Sequence, residues 1–169
     1  MDRKENILQI LQSSSKPVTG NEMAKILGVS RQVVVQDVAI LRAQGIHIMA
    51  TPQGYLLINH GAENSKRAVL AVKHMPEETE EELNILVDHN IRIIDVIIDH
   101  QIYGELRGFL MLNTRADVKK FIENIKAEKA TLLSSLTGGV HLHTVEYEDD
   151  LNLQKAKEKL SQYNFLAKS

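Results

Sequence analysis

Cysteine is absent from all 169 residues. That excludes disulfides and thiolate metal sites, so any metal bound here is held by histidine and carboxylate. No run of about 18 apolar residues occurs, which excludes a spanning helix. Met1-Asp2-Arg3-Lys4-Glu5 leads straight into an amphipathic pattern, with neither an apolar signal core nor a small-residue cleavage site. Internal repeats and low-complexity stretches are missing as well. These absences point to a cytoplasmic protein with no membrane partner. At 43% hydrophobic and 25% charged residues, the composition is that of a soluble globular chain, long enough for two compact domains.

A strongly basic balance is also lacking. The net charge is −2 overall; residues 1–60 carry 6 Lys+Arg against 4 Asp+Glu, and the remainder 14 against 18. So small an excess gives little non-specific affinity for DNA. Binding by the first sixty residues would have to rest on a homodimer and a long operator.

What is present begins with three helical segments. Residues 4–12 place Ile7, Leu8 and Leu11 at helical spacing, and Ser13-Ser14-Ser15-Lys16-Pro17 stops that helix. Thr19, with Glu22 three residues on, forms a capping box for a helix over Gly20 to Leu27 that ends at Gly28. Ser30 caps a third helix to about Ala43, closed by Gly45. Two short helices joined by a glycine-containing turn describe a helix-turn-helix. Val34, Val38 and Leu41 share the inward face of the third helix, while Arg31, Gln32, Val35 and Gln36 share the other near its N-terminal end. That end enters the major groove, where Arg and Gln suit G and A edges and Val suits a thymine methyl. Ile46–Ala50 and Tyr55–Ile58 read as two strands, with Thr51-Pro52-Gln53-Gly54 as the wing between them. A helix-turn-helix used only for protein contact is the alternative; the polar Ser30-Arg31-Gln32 start and the wing favour DNA.

Periodicity lapses over Asn59–Ser65, which places a domain boundary there: residues 1–60 form a winged helix-turn-helix and 66–169 a second domain. In the latter, strands over Arg67–Lys73, Ile91–Asp99, Glu105–Asn113 and Val140–Glu146 alternate with helices over Glu77–Asn90, Thr114–Ala127 and Leu151–Tyr163. The order β-α-β-β-α-β-α predicts an α+β chain whose second domain is a split β-α-β sandwich, one antiparallel sheet covered on one face by helices.

Histidines concentrate in that domain. His141-Leu142-His143 lies on its last strand, where residues i and i+2 project from one face. If first and last strands are antiparallel neighbours, His74 comes to sit beside this pair, and Glu82 in the following helix can fold back over the same edge. Three imidazoles and a carboxylate suit zinc or another late first-row divalent ion. Spacing alone leaves open two surface histidines instead, and does not single out Glu82 from Glu77, Glu78, Glu80 and Glu81. Two loops carry further candidates. The hairpin connection Asp99–Glu105 holds His100 and Tyr103. The stretch Ser134–Gly139, with Ser135 and Gly138, offers hydroxyls and backbone amides to a carboxylate or serves as a flexible connector.

Ser30–Asp37, Ala50–Tyr55, His100–Glu105 and above all Leu133-Ser134-Ser135-Leu136-Thr137-Gly138-Gly139-Val140-His141-Leu142-His143-Thr144 resemble the niacin-responsive repressors of NAD biosynthesis, which join a winged helix-turn-helix to a three-histidine (3H) domain. The likeness runs from Ile7 to about Leu160. It implies a repressor of NAD-synthesis and niacin-uptake genes with nicotinic acid as co-repressor. It also implies a divalent metal, zinc or nickel, held by His74, Glu82, His141 and His143, and makes His100 a candidate ligand-site residue. Gln53 stands where a basic wing residue is usual. The implied mechanism is a homodimer on double-stranded operator DNA, with nicotinate near the metal favouring the DNA-binding geometry by about 1–3 kcal/mol. The rivals are a metal-dependent hydrolase of a nicotinamide-like substrate fused to a DNA-binding module, and a constitutive regulator with a structural metal. Four protein ligands and the lack of a nucleophile–base pair argue against an enzyme.

Overall fold

The computed structural model describes residues 2–58 and 65–167. Most of the segment read as a linker, residues 59–64, lies outside them. The chain divides into two compact units, Met1–Gly61 and Ala62–Ser169.

The first unit contains α1 (Arg3–Ser13), α2 (Gly20–Leu27), α3 (Arg31–Ala43), β1 (Ile48–Thr51) and β2 (Gly54–Leu57). Each helix starts where its cap dictates. Thr19 Oγ1 accepts from Glu22 N–H and Ser30 Oγ from Val33 N–H, satisfying amides that the first turns leave without partners. The expected inward residues Val34, Val38 and Leu41 close on Ile7, Leu11, Met23 and Ile48 to make one apolar core. β1 and β2 pair antiparallel from Ile48↔Leu57 to Thr51↔Gly54. A third short segment joins them, because Val18 and Tyr55 exchange two backbone hydrogen bonds of 2.9 and 2.8 Å. Gly54 takes φ +125° against that segment, where any Cβ would run into the Val18 carbonyl. Only glycine fits.

One polar contact locks this unit and had no signature in the sequence. Asp37 on α3 is 4% exposed, and its carboxylate accepts from the Arg3 guanidinium on α1 through both oxygens. The two helices are thereby tied on the side away from the exposed α3 residues.

The second unit contains β3 (Lys66–Lys73), α4 (Thr79–Asp88) after a 3-10 turn at Pro76–Glu78, β4 (Arg92–His100), β5 (Gly104–Leu112), α5 (Arg115–Ala127), a 3-10 turn at Leu133–Thr137, β6 (Val140–Tyr147) and α6 (Asp150–Gln162). The sheet order is β3-β6-β4-β5 with every neighbour antiparallel. The expected pairing of first and last strands is present, with Val72 opposite His141 and Leu70 opposite His143. The topology is two interleaved split β-α-β units: β6 lies between β3 and β4, and β4 lies between β5 and β6. Leu70, Val72, Ile93, Leu112 and Val145 meet Leu83, Leu86, Val118, Leu160 and Phe165 in the core beneath the helices. Burying each such side chain contributes roughly 1.5–3 kcal/mol.

Two segments differ from the sequence reading. The helix expected over Glu77–Asn90 is shorter, opening as the 3-10 turn behind Pro76 and giving way by Asn90 at φ 58°. Ser134–Gly139 is not a loose connector. Ser134 is buried, and the Leu133 side chain lies over Gly108 of β5, 3.4 Å from where a Cβ there would stand.

The Asp37 carboxyl is held below its ordinary value of 3.8 by hydrogen bonds from Arg3, against the opposing effect of burial. A depressed carboxylate contributes stability that is complete above its unfolded value and is lost as pH falls through its folded one. Asp37→Asn is therefore expected to lower the melting temperature at neutral pH and to narrow that gap as pH falls below 3.8. A gap that stays constant on acidification would show that the ion pair contributes nothing through charge.

Candidate metal centre and DNA-binding face

The second unit's site is built from the end of β3, the start of β6 and one turn of α4. Alternation along β6 puts His141 and His143, 4% and 2% exposed, on the face the helices cover, with Leu142 on the other. His74 follows directly on β3, and the second residue pair of α4 carries Glu82 over the same spot. Glu82 is 0% exposed. His74, Glu82 and His141 each offer a ligand atom, all within 4.8 Å of one another, a group that could hold a metal ion. His143 adjoins them, its Nε2 2.9 Å from Glu82 Oε1.

The three rings are oriented alike. His74 Nδ1–H donates to the Met75 carbonyl at 2.8 Å, His141 Nδ1–H to Gly139 at 2.8 Å, and His143 Nδ1–H to Asp95 at 2.7 Å. A carbonyl only accepts, so Nδ1 carries a proton in each ring and Nε2 is the atom turned to the interior. Glu82 is the common focus: His74 Nε2 is 3.3 Å from Oε2, and His141 Nε2 is 4.0 Å from Oε1. Backbone partners on the outer nitrogens are the arrangement that orients metal-ligating histidines.

Burial alone would raise the Glu82 carboxyl, but the charge and hydrogen bond of His143, then His74 and His141, outweigh it and hold Glu82 well below the carboxylate range. Burial opposes charging of all three imidazoles. For His143 and His74 the adjacent carboxylate wins and the pKa rises. For His141, burial and then the neighbouring His143 win, pushing it down to about 4. Glu82 Oε1 and His143 Nε2 are both buried without a hydrogen-bond partner, being close but not aligned. An ionised carboxylate faced by three Nε2 atoms, with Glu82 Oε1 and His143 Nε2 lacking an aligned partner, suits a divalent cation, which would take the place of the Nε2 protons.

Two contributors escaped the sequence reading. Gly139, at φ +95°, crosses the His74 backbone so closely that a Cβ would collide with the His74 carbonyl. Its own carbonyl takes both His74 N–H and His141 Nδ1–H. Asp95, 1% exposed on β4, supplies the His143 acceptor. A glycine pair before a strand hinted at the first; the second had no signal.

The remaining candidates are not members of that group. His100 ends β4, and its Nδ1 accepts from Ile102 and Tyr103 N–H at 3.1 and 3.2 Å, the opposite tautomer to the three ligand-like rings. Tyr103 is 76% exposed beside it. In the Ser134–Gly139 turn, the amides expected to be free are engaged: Ser135 N–H on Leu132, Gly138 and Gly139 N–H on Ser134. The glycines serve the turn's left-handed geometry, so the segment presents hydroxyls rather than amides. A cavity of about 510 Å³ beside His141 is lined by Ile97, Ile98, Asp99, Glu105, Val140 and Leu142. None of His100, Tyr103, Ser135 or Gly138 lines it.

On the first unit, Arg31, Gln32 and Gln36 are exposed and Val35 half-buried along one side of α3. Ser30 is exposed too, its hydroxyl engaged in the cap. The Gln53 side-chain oxygen is turned inward and buried without a partner.

A recognition-type helix on a winged unit, joined to an α+β unit with a buried His-Glu-His group, has the architecture of a DNA-binding protein with a second domain. The comparisons agree. Residues 3–56 match an HTH domain and residues 67–169 the 3H domain. The chain is 42% identical over 165 residues to a protein of Thermotoga maritima named probable transcription repressor NiaR, covering 98% of this chain and 93% of that one. It is 40% identical over 169 residues to the transcription repressor NadR of Bacillus subtilis, covering 99% and 94%. The chain belongs to the 3H-domain transcription repressors. Both relatives carry a regulator's name rather than an enzyme's, and no helix of the described residues is long and apolar enough to cross a membrane.

Gly139→Ala is expected to cost about 3 kcal/mol in denaturant unfolding, combining left-handed strain with the collision at His74. An unchanged midpoint would mean that the chain relaxes away from His74 and that the crossing does not hold the site.

Proposed function

We propose that this chain represses genes of NAD biosynthesis and niacin uptake, acting as a homodimer on double-stranded operator DNA with nicotinic acid as co-repressor. Residues 1–60 read the DNA, through Arg31, Gln32, Val35 and Gln36, with Ser30 and Gln53 beside them. Residues 66–169 bind the effector. The observation that carries the reading is the set of three Nδ1–H bonds to carbonyls, which leaves His74, His141 and His143 facing Glu82 with their Nε2 atoms. These four residues would hold a divalent ion, zinc or nickel. When bound, such an ion supplies a Lewis-acidic anchor for a carboxylate.

The protein's own groups then set the ligand's orientation. Asp99 and Glu105 on the cavity beside His141 repel a free anion, so nicotinate enters carboxylate-first only where positive charge offsets them. The ring would rest against Ile97, Ile98 and Leu142, and His100, Tyr103, Ser135 and Gly138 would flank the opening. Ligand binding favours one dimer geometry, and that preference is the whole of the coupling.

A second reading, a cation that only braces the domain, draws support from the burial of Glu82 and the three histidines. The His141→Ala, His143→Ala double variant separates the two. Loss of cooperative unfolding indicates bracing, whereas a folded protein whose DNA binding ignores nicotinate indicates sensing.

The decisive test is fluorescence anisotropy on promoter DNA of a niacin-uptake or NAD-synthesis gene, with and without nicotinate. Operator affinity is expected to rise about 5–150-fold with nicotinate and to fall back on adding a chelator. Affinity indifferent to nicotinate at every metal concentration would end the co-repressor reading while leaving DNA binding intact.

A further inference from the structure

We infer that Asp95 is a positioning residue for His143, acting through a β-bulge that its side chain completes. The pairing of β4 with β6 runs Ile93↔Val145 and resumes at Ile97↔Leu142, so three β4 residues face two on β6. Asp95 is the middle one of the three. An extra residue in one strand turns a backbone carbonyl out of the ladder. Here that carbonyl is Asp95 O, and it is aimed at His143 Nδ1–H, 2.7 Å away.

The bulge leaves the facing Thr144 amide without a ladder acceptor. The Asp95 side chain fills the place: Thr144 N–H donates to Asp95 Oδ1 at 2.8 Å. One residue thus supplies two acceptors in opposite roles, its carboxylate to the strand and its carbonyl to the ring. Burial of a carboxylate at 1% exposure is costly unless it is hydrogen-bonded and charge-paired. The second oxygen meets Arg107 Nε at 3.5 Å. The carboxylate is retained because the bulge needs an acceptor, and the bulge holds the carbonyl that keeps His143 in its Nδ1–H form.

Asp95→Ala removes the acceptor and leaves the ladder free to shift; Asp95→Asn keeps an amide oxygen in the same place. Two readouts apply. Zinc affinity, measured by competition with a chelating dye, is expected to fall about 10–100-fold in Asp95→Ala and to stay near wild type in Asp95→Asn. Imidazole ¹⁵N NMR on the metal-free protein, at a pH where the ring is neutral, is expected to show the single Nδ1–H tautomer of His143 in the wild type and in Asp95→Asn, and a mixture in Asp95→Ala. If Asp95→Ala does not fold, Asp95→Leu, similar in shape and lacking an acceptor, replaces it.

The zinc readout rests on the metal reading above, and the tautomer readout does not. A wild type that binds neither zinc nor nickel ends the metal reading, and the NMR still decides the role of Asp95. A single Nδ1–H tautomer in Asp95→Ala overturns the inference. So does an Asp95→Asn protein as impaired as Asp95→Ala, since charge rather than the acceptor would then be what matters.

Discussion

A carboxylate with no solvent exposure has to be neutralised from within, and Glu82 is the group around which the second unit is arranged. Placing one ion in a low-dielectric interior costs several kcal/mol even after relaxation. The fold answers with three imidazoles brought from two adjacent strands, and the sheet order is what brings them. Only with β6 beside β3 does His74 arrive next to His141, and only with α4 crossing back over that pair does Glu82 reach both. The apolar core then closes around the cluster, with Phe165 stacked edge-on to His74. Topology, burial and charge are here one constraint.

Much of the architecture was legible beforehand because it rests on local rules. Ser30 and Thr19 mark helix starts by a mechanism that acts within four residues, and each caps a helix as expected; Thr114, the first residue of the helix expected over Thr114–Ala127, caps α5 in the same way. The period-two rule put His141 and His143 on one face, and the antiparallel neighbour relation of β3 and β6 brought His74 to them. Glu82 could not be chosen among five glutamates by spacing alone; the family resemblance singled it out, and it is the one fully buried. What stayed hidden was non-local. The Arg3–Asp37 pair spans 34 residues, and the Asp95–His143 bond spans 48. A β-bulge leaves no pattern in sequence, since it exists only relative to the partner strand. Composition left the Ser134–Gly139 segment open between a ligand loop and a flexible connector, because the 3-10 turn and the seat of Leu133 over Gly108 depend on the distant sheet.

The first unit uses a simpler economy. Its α3 helix divides cleanly: Val34, Val38 and Leu41 bind it to the core, Asp37 binds it to α1, and Arg31, Gln32 and Gln36 remain for solvent. If α3 is to read DNA it must not roll, and the part-buried Arg3–Asp37 contact opposes rolling from the far side. On the wing, Gln53 turns its side-chain oxygen inward. With that oxygen unavailable, a wing contact to DNA from Gln53 would fall to its amide N–H group.

The histidines show how little a residue type says by itself. His74, His141 and His143 meet carbonyls with Nδ1, so Nδ1 carries a proton and Nε2 is turned towards Glu82. His100 meets amides with Nδ1, so its lone pair is engaged and its Nε2 carries the proton. Backbone polarity has made three acceptors for a cation from one set and a hydrogen-bond donor from the other. A cation would be drawn to the first; a carboxylate or a ring nitrogen would be met by the second. The engaged Nδ1 of His100 therefore leaves Nε2–H as the group that ring can offer.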